Sequence, residues 1–182
     1  MPRLLSTEQV EFFRRQGYLF PFDALSLAEV AECRRSLEAY EAEVGEEVRN
    51  RRIRVKAHLA FPWMMGIARN PAILDALEDL MGPDILIYLS SLWSKPAGDA
   101  GFVSWHQDSA YYGIDPHDEI TVWVALSNST LESGCVRVLP ATHLERDYEH
   151  VETYDPDNLL SRGQTIEGVD ETAAVDMELK AG

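Results

Sequence analysis

The feature that most constrains the fold of this chain is a change of pattern near Asp84. Up to Gly82, apolar residues recur at helical spacing between capping signals. From Asp84 onward they gather in short runs rich in β-branched and aromatic residues, separated by turn formers. A helical front end followed by short, regularly spaced strands points to a sandwich or jelly roll with the helices packed outside. The expected class is mainly β with N-terminal helices (α+β). At 182 residues the chain suits one domain, 1–182, with a helical part over 1–82 and strands over 84–182.

The helices are signalled at both ends. Ser6 and Gln9 form a capping box that Leu5 and Val10 can staple, and Gly17 is the natural stop. Tyr18-Leu19-Phe20 then reads as a short strand ending at Pro21. Ser26 and Glu29 repeat the box before a helix that runs to about Val44, with Gly45 beyond it. Asn70 and Pro71 open another, with Ile73, Leu74, Leu77 and Leu80 on its apolar face and Gly82 at its end.

Strands are expected over Ile85–Trp93, Phe102–His106, Ile120–Leu126, Cys135–Leu139 and Ala174–Leu179. Turns fall at Pro96-Ala97-Gly98-Asp99, Asp115-Pro116 and Glu132-Ser133-Gly134. Residues 144–172 are polar with an acidic excess and no period, which reads as a long loop or lid. Arg52, Arg54, Lys56 and His58 alternate with Ile53, Val55, Ala57 and Leu59, giving a strand with one basic face. Such a stripe suits an anionic ligand, or else a solvated edge strand guarded by charge.

Charge and composition exclude several classes. A net charge of −15 argues against nucleic acid, which needs clustered Lys and Arg, and against a polybasic membrane anchor. No apolar run approaches membrane-spanning length, and residues 1–11 lack the apolar core of a signal peptide. Cys33 and Cys135 are too few for a disulfide framework and are not spaced as a zinc site. A reducing, cytoplasmic setting is the expectation, with an undetermined oligomeric state.

Trp105-His106-Gln107-Asp108 carries the chemistry. On a strand, residues i and i+2 share a face, so His106 and Asp108 would converge while Gln107 points away. One His and one acid make two parts of the facial triad that holds non-haem Fe(II) with open positions. Alone, His-x-Asp is a weak motif, because a single His is more often a core or surface residue than a ligand.

Several further segments share one ordered pattern with it. They are Lys56-Ala57-His58-Leu59, the helix ending Leu80-Met81-Gly82-Pro83, Lys95-Pro96-Ala97-Gly98-Asp99, and Trp123-Val124-Ala125-Leu126. Gly134-Cys135-Val136-Arg137-Val138-Leu139-Pro140-Ala141-Thr142-His143 closes the series. In this order, with Thr7-Glu8-Gln9-Val10 through Gly17-Tyr18-Leu19 ahead of them, the segments resemble the phytanoyl-CoA dioxygenase family. That family comprises Fe(II)- and 2-oxoglutarate-dependent oxygenases built on the double-stranded β-helix, a cupin-like jelly roll.

The resemblance implies that His106 and Asp108 are iron ligands. It implies that Lys56, Ser91, Gln107 and Trp123 contact 2-oxoglutarate, whose two carboxylates a cation would help to bury. It implies hydroxylation of a small or acyl-type substrate with O₂, releasing succinate and CO₂. Halogenating relatives carry a small residue where Asp108 stands, so hydroxylation is the expectation. His143 lies in the family's Pro-x-x-His turn and is not expected to ligate; His117 and His150 are expected to be solvated.

The family's distal His, and an Arg about one strand further on, would follow the segment Met177–Gly182. Without them the jelly roll is expected to be incomplete at its C-terminus. Three explanations compete: a longer coding sequence, a second chain supplying the strands, or a short variant serving as a non-catalytic binding module. Arg49, Arg51, Arg52 and Arg54 could receive an anionic substrate such as an acyl-CoA, or form a solvated turn.

Overall fold

A computed structural model describes residues 3–47, 55–145 and 147–182. Arg49, Arg51, Arg52 and Arg54 lie outside the described residues.

The helical front end follows its local signals. Helix α1 spans Thr7–Gln16, with Ser6 and Gln9 closing the capping box and Gly17 left-handed at φ 81°. Gly17 is required there twice over: a Cβ would sit 2.4 Å from His143 Nδ1 in a backbone region L-residues avoid. Leu5 and Val10 are both buried, as a hydrophobic staple demands. Helix α2 spans Leu27–Val44 with the Ser26–Glu29 box and Gly45 left-handed beyond it. Helix α3 spans Pro62–Ala68, and α4 spans Pro71–Met81 behind the Asn70 cap. Sequence patterning missed α3, although Pro62 at its first turn is a start signal. Tyr18–Phe20 is not a strand.

The core sits where these helices meet the middle of the chain. Ala57, Phe61 and Leu92 are buried together, flanked by Leu37 and Tyr40 from α2 and Trp63 and Met64 from α3. Tyr40 and Trp63 contact Phe61 at ring-centroid distances of 4.9 and 5.9 Å.

The expected basic strand does not continue through Lys56. Val55 bridges Ser91, but Lys56 is left-handed at φ 57° and leads into a 3₁₀ turn over Ala57–Leu59. The left-handed residue breaks the two-residue alternation, and His58 turns inward against Ser90. His58 Nδ1 lies 2.6 Å from Ser90 Oγ, so it is a partnered core histidine and not part of a basic face.

Regular strands are fewer and shorter than the composition suggests. β1 (Val136–Val138) pairs antiparallel with β4 (Val175–Met177), Arg137 opposite Asp176. β2 (Val151–Glu152) pairs antiparallel with β3 (Gln164–Thr165). β1 and β4 fall inside the expected Cys135–Leu139 and Ala174–Leu179 strands. The segments 85–93, 102–106 and 120–126 form no ladder among the described residues, only isolated bridges at Ser91 and Phe102. Side chains suited to a pleated sheet do not make a strand unless a neighbouring backbone completes the hydrogen bonds. Leu86 is accordingly 93 % exposed, and Tyr88, Val103 and Val122 are exposed as well.

Residues 144–172, expected as a structureless loop, carry β2, β3 and two 3₁₀ turns over Ser161–Gly163 and Glu171–Ala173. The far end of the chain returns to the front: Gly182 accepts from the amides of Ala24 and Leu25 and donates to Ala125 O. Among the described residues, no helix is long and apolar enough to cross a membrane.

Candidate active site

His106 and Asp108 come together, though not by strand alternation. Asp108 has helical backbone angles and caps the short helix α5, Ser109–Tyr112. The turn into that helix brings Asp108 Oδ1 to 3.2 Å from His106 Nε2. His106 Nδ1–H donates to Ser104 O at 2.8 Å, which fixes the tautomer and leaves Nε2 facing the carboxylate. Asp108 Oδ2 accepts from Thr121 Oγ1 at 2.5 Å.

Both groups are partly shielded, and their charges are matched. Burial works to lower the His106 pKa, but its hydrogen bonds to Asp108 and Ser104 outweigh this and raise it above the ordinary value. The hydrogen bond from His106 holds Asp108 below the usual carboxylate range against the opposing effect of burial, with help from Thr121. The carboxylate in turn acts on its surroundings. Tyr112 is pushed up to about 12, by burial first and then by the charges of Asp108, Glu119 and Tyr88. Glu119 is also raised, by burial and then by Asp108.

The 102–107 segment is positioned from a distance. Leu159 N donates to Phe102 O, Ser104 Oγ donates to Gln164 O at 2.6 Å, and Ile166 N donates to Trp105 O. Asn158, buried, donates to Ser104 Oγ at 2.9 Å and accepts from Leu160 N. Arg137 lies over the Trp105 ring at 5.6 Å while its guanidinium pairs with Glu171 and Asp176. The presumed loop is thus the scaffold of the motif.

The four residues expected to contact a cosubstrate are placed differently. Lys56 and Ser91 are backbone neighbours, since Lys56 N donates to Ser90 O at 2.7 Å and Val55 bridges Ser91. Ser91 Oγ accepts from Trp93 Nε1 at 2.9 Å. Gln107 faces the 148–150 segment: its Oε1 accepts from Tyr148 N, and its own amide donates to His150 Nε2. Trp123 is 40 % exposed and lies two residues from Thr121.

Three participants were not legible beforehand. His150 is partly buried rather than solvated: Nε2 accepts from Gln107 N while Nδ1–H donates to Tyr148 O. Thr121 carried no signal beyond its place in the expected Ile120–Leu126 strand. Tyr111, whose ring packs edge-on against both His106 and His150, follows Asp108 at helical spacing. His117 is exposed, 3.5 Å from Asp147, and His143 Nε2–H donates to Arg14 O, away from Asp108.

The donor set fits two facial positions on a divalent metal: an imidazole of fixed tautomer and a carboxylate oxygen beside it. Among the described residues no group of three His, Cys, Asp or Glu side chains gathers around one point.

The family model described as phytanoyl-CoA dioxygenase (PhyH) matches residues 13–182. A probable alpha-ketoglutarate-dependent hypophosphite dioxygenase from Stutzerimonas stutzeri is 30% identical over 135 residues, covering 73% of this chain and 47% of the relative. The peroxisomal phytanoyl-CoA dioxygenase of Homo sapiens is 35% identical over 77 residues, covering 40% of this chain and 23% of the relative. The chain thus spans less than half the length of either curated relative. Among solved structures, the non-heme monooxygenase ThoJ in its apo form superposes with a TM-score of 0.74 at 35% identity, covering 96% of this chain and 65% of that one. EvdO2 from Micromonospora carbonacea var. aurantiaca, complexed with 2-oxoglutarate, gives a TM-score of 0.69 at 26% identity, covering 100% and 80%.

Proposed function

Because this chain belongs to the phytanoyl-CoA dioxygenase family, we propose that it forms the Fe(II)- and 2-oxoglutarate-binding part of a dioxygenase that hydroxylates a small-molecule or acyl-type substrate. The observation that carries the reading is the convergence of His106 Nε2 and Asp108 Oδ1 at 3.2 Å, inside the matched region.

His106 and Asp108 would hold the metal. The Ser104 carbonyl holds a proton on Nδ1, so Nε2, which donates to Asp108 in the metal-free site, is the nitrogen that would give up its proton and ligate. Thr121 holds the far carboxylate oxygen, which leaves Oδ1 for the metal. Iron(II) bound there would supply, with 2-oxoglutarate and O₂, the oxidising equivalents for hydroxylation, with release of succinate and CO₂. The side chain of Lys56 would neutralise a cosubstrate carboxylate, with Ser91 beside it on the adjoining backbone. Trp123 would form an apolar wall, and Gln107 would orient the segment through Tyr148. In this reading the segments 85–93, 102–106 and 120–126 belong to a double-stranded β-helix, residues 144–172 border the site, and the protein works in the cytoplasm. Both described cysteines are free, in keeping with a reducing compartment.

The test is anaerobic titration of the purified chain with Fe(II) and 2-oxoglutarate, following the visible charge-transfer band of the chelate. A band that is present in the wild type and lost in His106→Ala supports the reading. A folded wild-type chain with no band overturns it for these residues and favours a non-catalytic binding module.

A further inference from the structure

Among the described residues, two buried side-chain oxygens have no hydrogen-bond partner: the Tyr111 hydroxyl and Glu119 Oε2. Both stand in the field of Asp108, whose charge acts on Tyr111 and on Glu119. Native proteins rarely leave buried polar groups unpaired, and those that remain call for an explanation. No others occur among the described residues, and Tyr111 lies in the single helical turn that Asp108 opens, with its ring against His106.

Tyr111 is also held firmly. Its ring lies edge-on to His106 at 5.9 Å and 77°, and edge-on to His150 at 5.9 Å and 87°. Both flanking imidazoles are anchored, His106 through Ser104 O and His150 through Gln107 N and Tyr148 O. The hydroxyl therefore cannot reach solvent by a small ring movement without disturbing two anchored rings. Asp108 does not satisfy it: the bonds its oxygens accept come from His106 and Thr121. A clamped, desolvated donor beside a metal-binding pair is preorganised for an acceptor that arrives with the metal.

We propose that Tyr111 is a positioning residue whose hydroxyl donates to an oxygen of the ligand carried on the metal between His106 and Asp108. This rests on the metal-binding reading above. The acceptor is a metal-bound oxygen, supplied either by water or by a carboxylate of 2-oxoglutarate.

The test compares wild type with Tyr111→Phe in three measurements: the melting temperature of the metal-free protein, calorimetric titration with Mn(II) alone, and titration of the Mn(II)-loaded protein with 2-oxoglutarate. Removing an unpartnered buried hydroxyl should raise the metal-free melting temperature by about 2–4 °C. Removing a donor to a charged acceptor should weaken binding about tenfold, or about 1.4 kcal/mol. Weakening in the Mn(II) arm assigns the acceptor to metal-bound water. Weakening confined to the 2-oxoglutarate arm assigns it to the carboxylate. Unchanged affinities in both arms, or a lower metal-free melting temperature, overturn the proposal while leaving the metal site intact. A wild type that binds neither Mn(II) nor 2-oxoglutarate removes both readings together.

Discussion

Thr121 Oγ1 donates to Asp108 Oδ2 at 2.5 Å, on the opposite side of the carboxylate from His106. The two oxygens of one side chain are thereby assigned different tasks: one is tied to the protein, the other faces the imidazole. Thr121→Val keeps the shape and removes the tie. Metal affinity, read by Mn(II) titration, should fall about tenfold or more, as for other groups that orient ligating side chains. An unchanged affinity would mean that the α5 backbone alone orients Asp108.

Asn158 acts one step further out. It is buried, donates to Ser104 Oγ and accepts from Leu160 N, and Ser104 O holds the His106 tautomer. Asn158→Ala strands a backbone amide and loosens Ser104, a loss of about 1–3 kcal/mol. The melting temperature should drop by several degrees and Mn(II) binding should weaken with it. A melting temperature lowered without any change in Mn(II) affinity would separate this residue from the site.

The N-terminal segment offers a test in pH. Asp79 accepts from the amides of Arg3, Leu4 and Leu5 at 2.6–2.8 Å. Desolvation pushes its pKa up, yet these three amides and Arg3 outweigh it and hold the group below its ordinary value of 3.8. A depressed folded-state pKa contributes stability that is present above the unfolded value and is lost as pH falls through the folded one. Wild type should therefore melt above Asp79→Asn at neutral pH, and the gap should close in acid below about pH 4. A gap independent of pH would show that geometry, not the carboxylate charge, holds the segment.

The parts of this fold that could be read from sequence are those whose signals are local. α1, α2 and α4 begin at Ser6, Ser26 and Asn70 and end before Gly17, Gly45 and Gly82, because caps satisfy backbone groups a few residues away. His106 and Asp108 were legible as a pair, but the turn that unites them was not, since α5 is one turn long and has no pattern to detect. Strand pairing depends on a partner remote in sequence. β1 and β4 therefore matched their expected places, while 85–93 and 120–126 did not become ladders. His150 was misread for the same reason, because its acceptor role exists only once Gln107 lies against it.

The dependence of the 102–107 segment on residues 148–166 sets an order of events. A polypeptide is made from its N-terminus, so His106 and Asp108 leave the ribosome before Gln164, which lies 60 positions beyond Ser104. Until that later stretch arrives, the Ser104 hydroxyl lacks both its acceptor at Gln164 and its donor at Asn158. On the proposed reading, a translation product stopped before Asn158 would carry His106 and Asp108 without the side-chain contacts that hold Ser104 beside them.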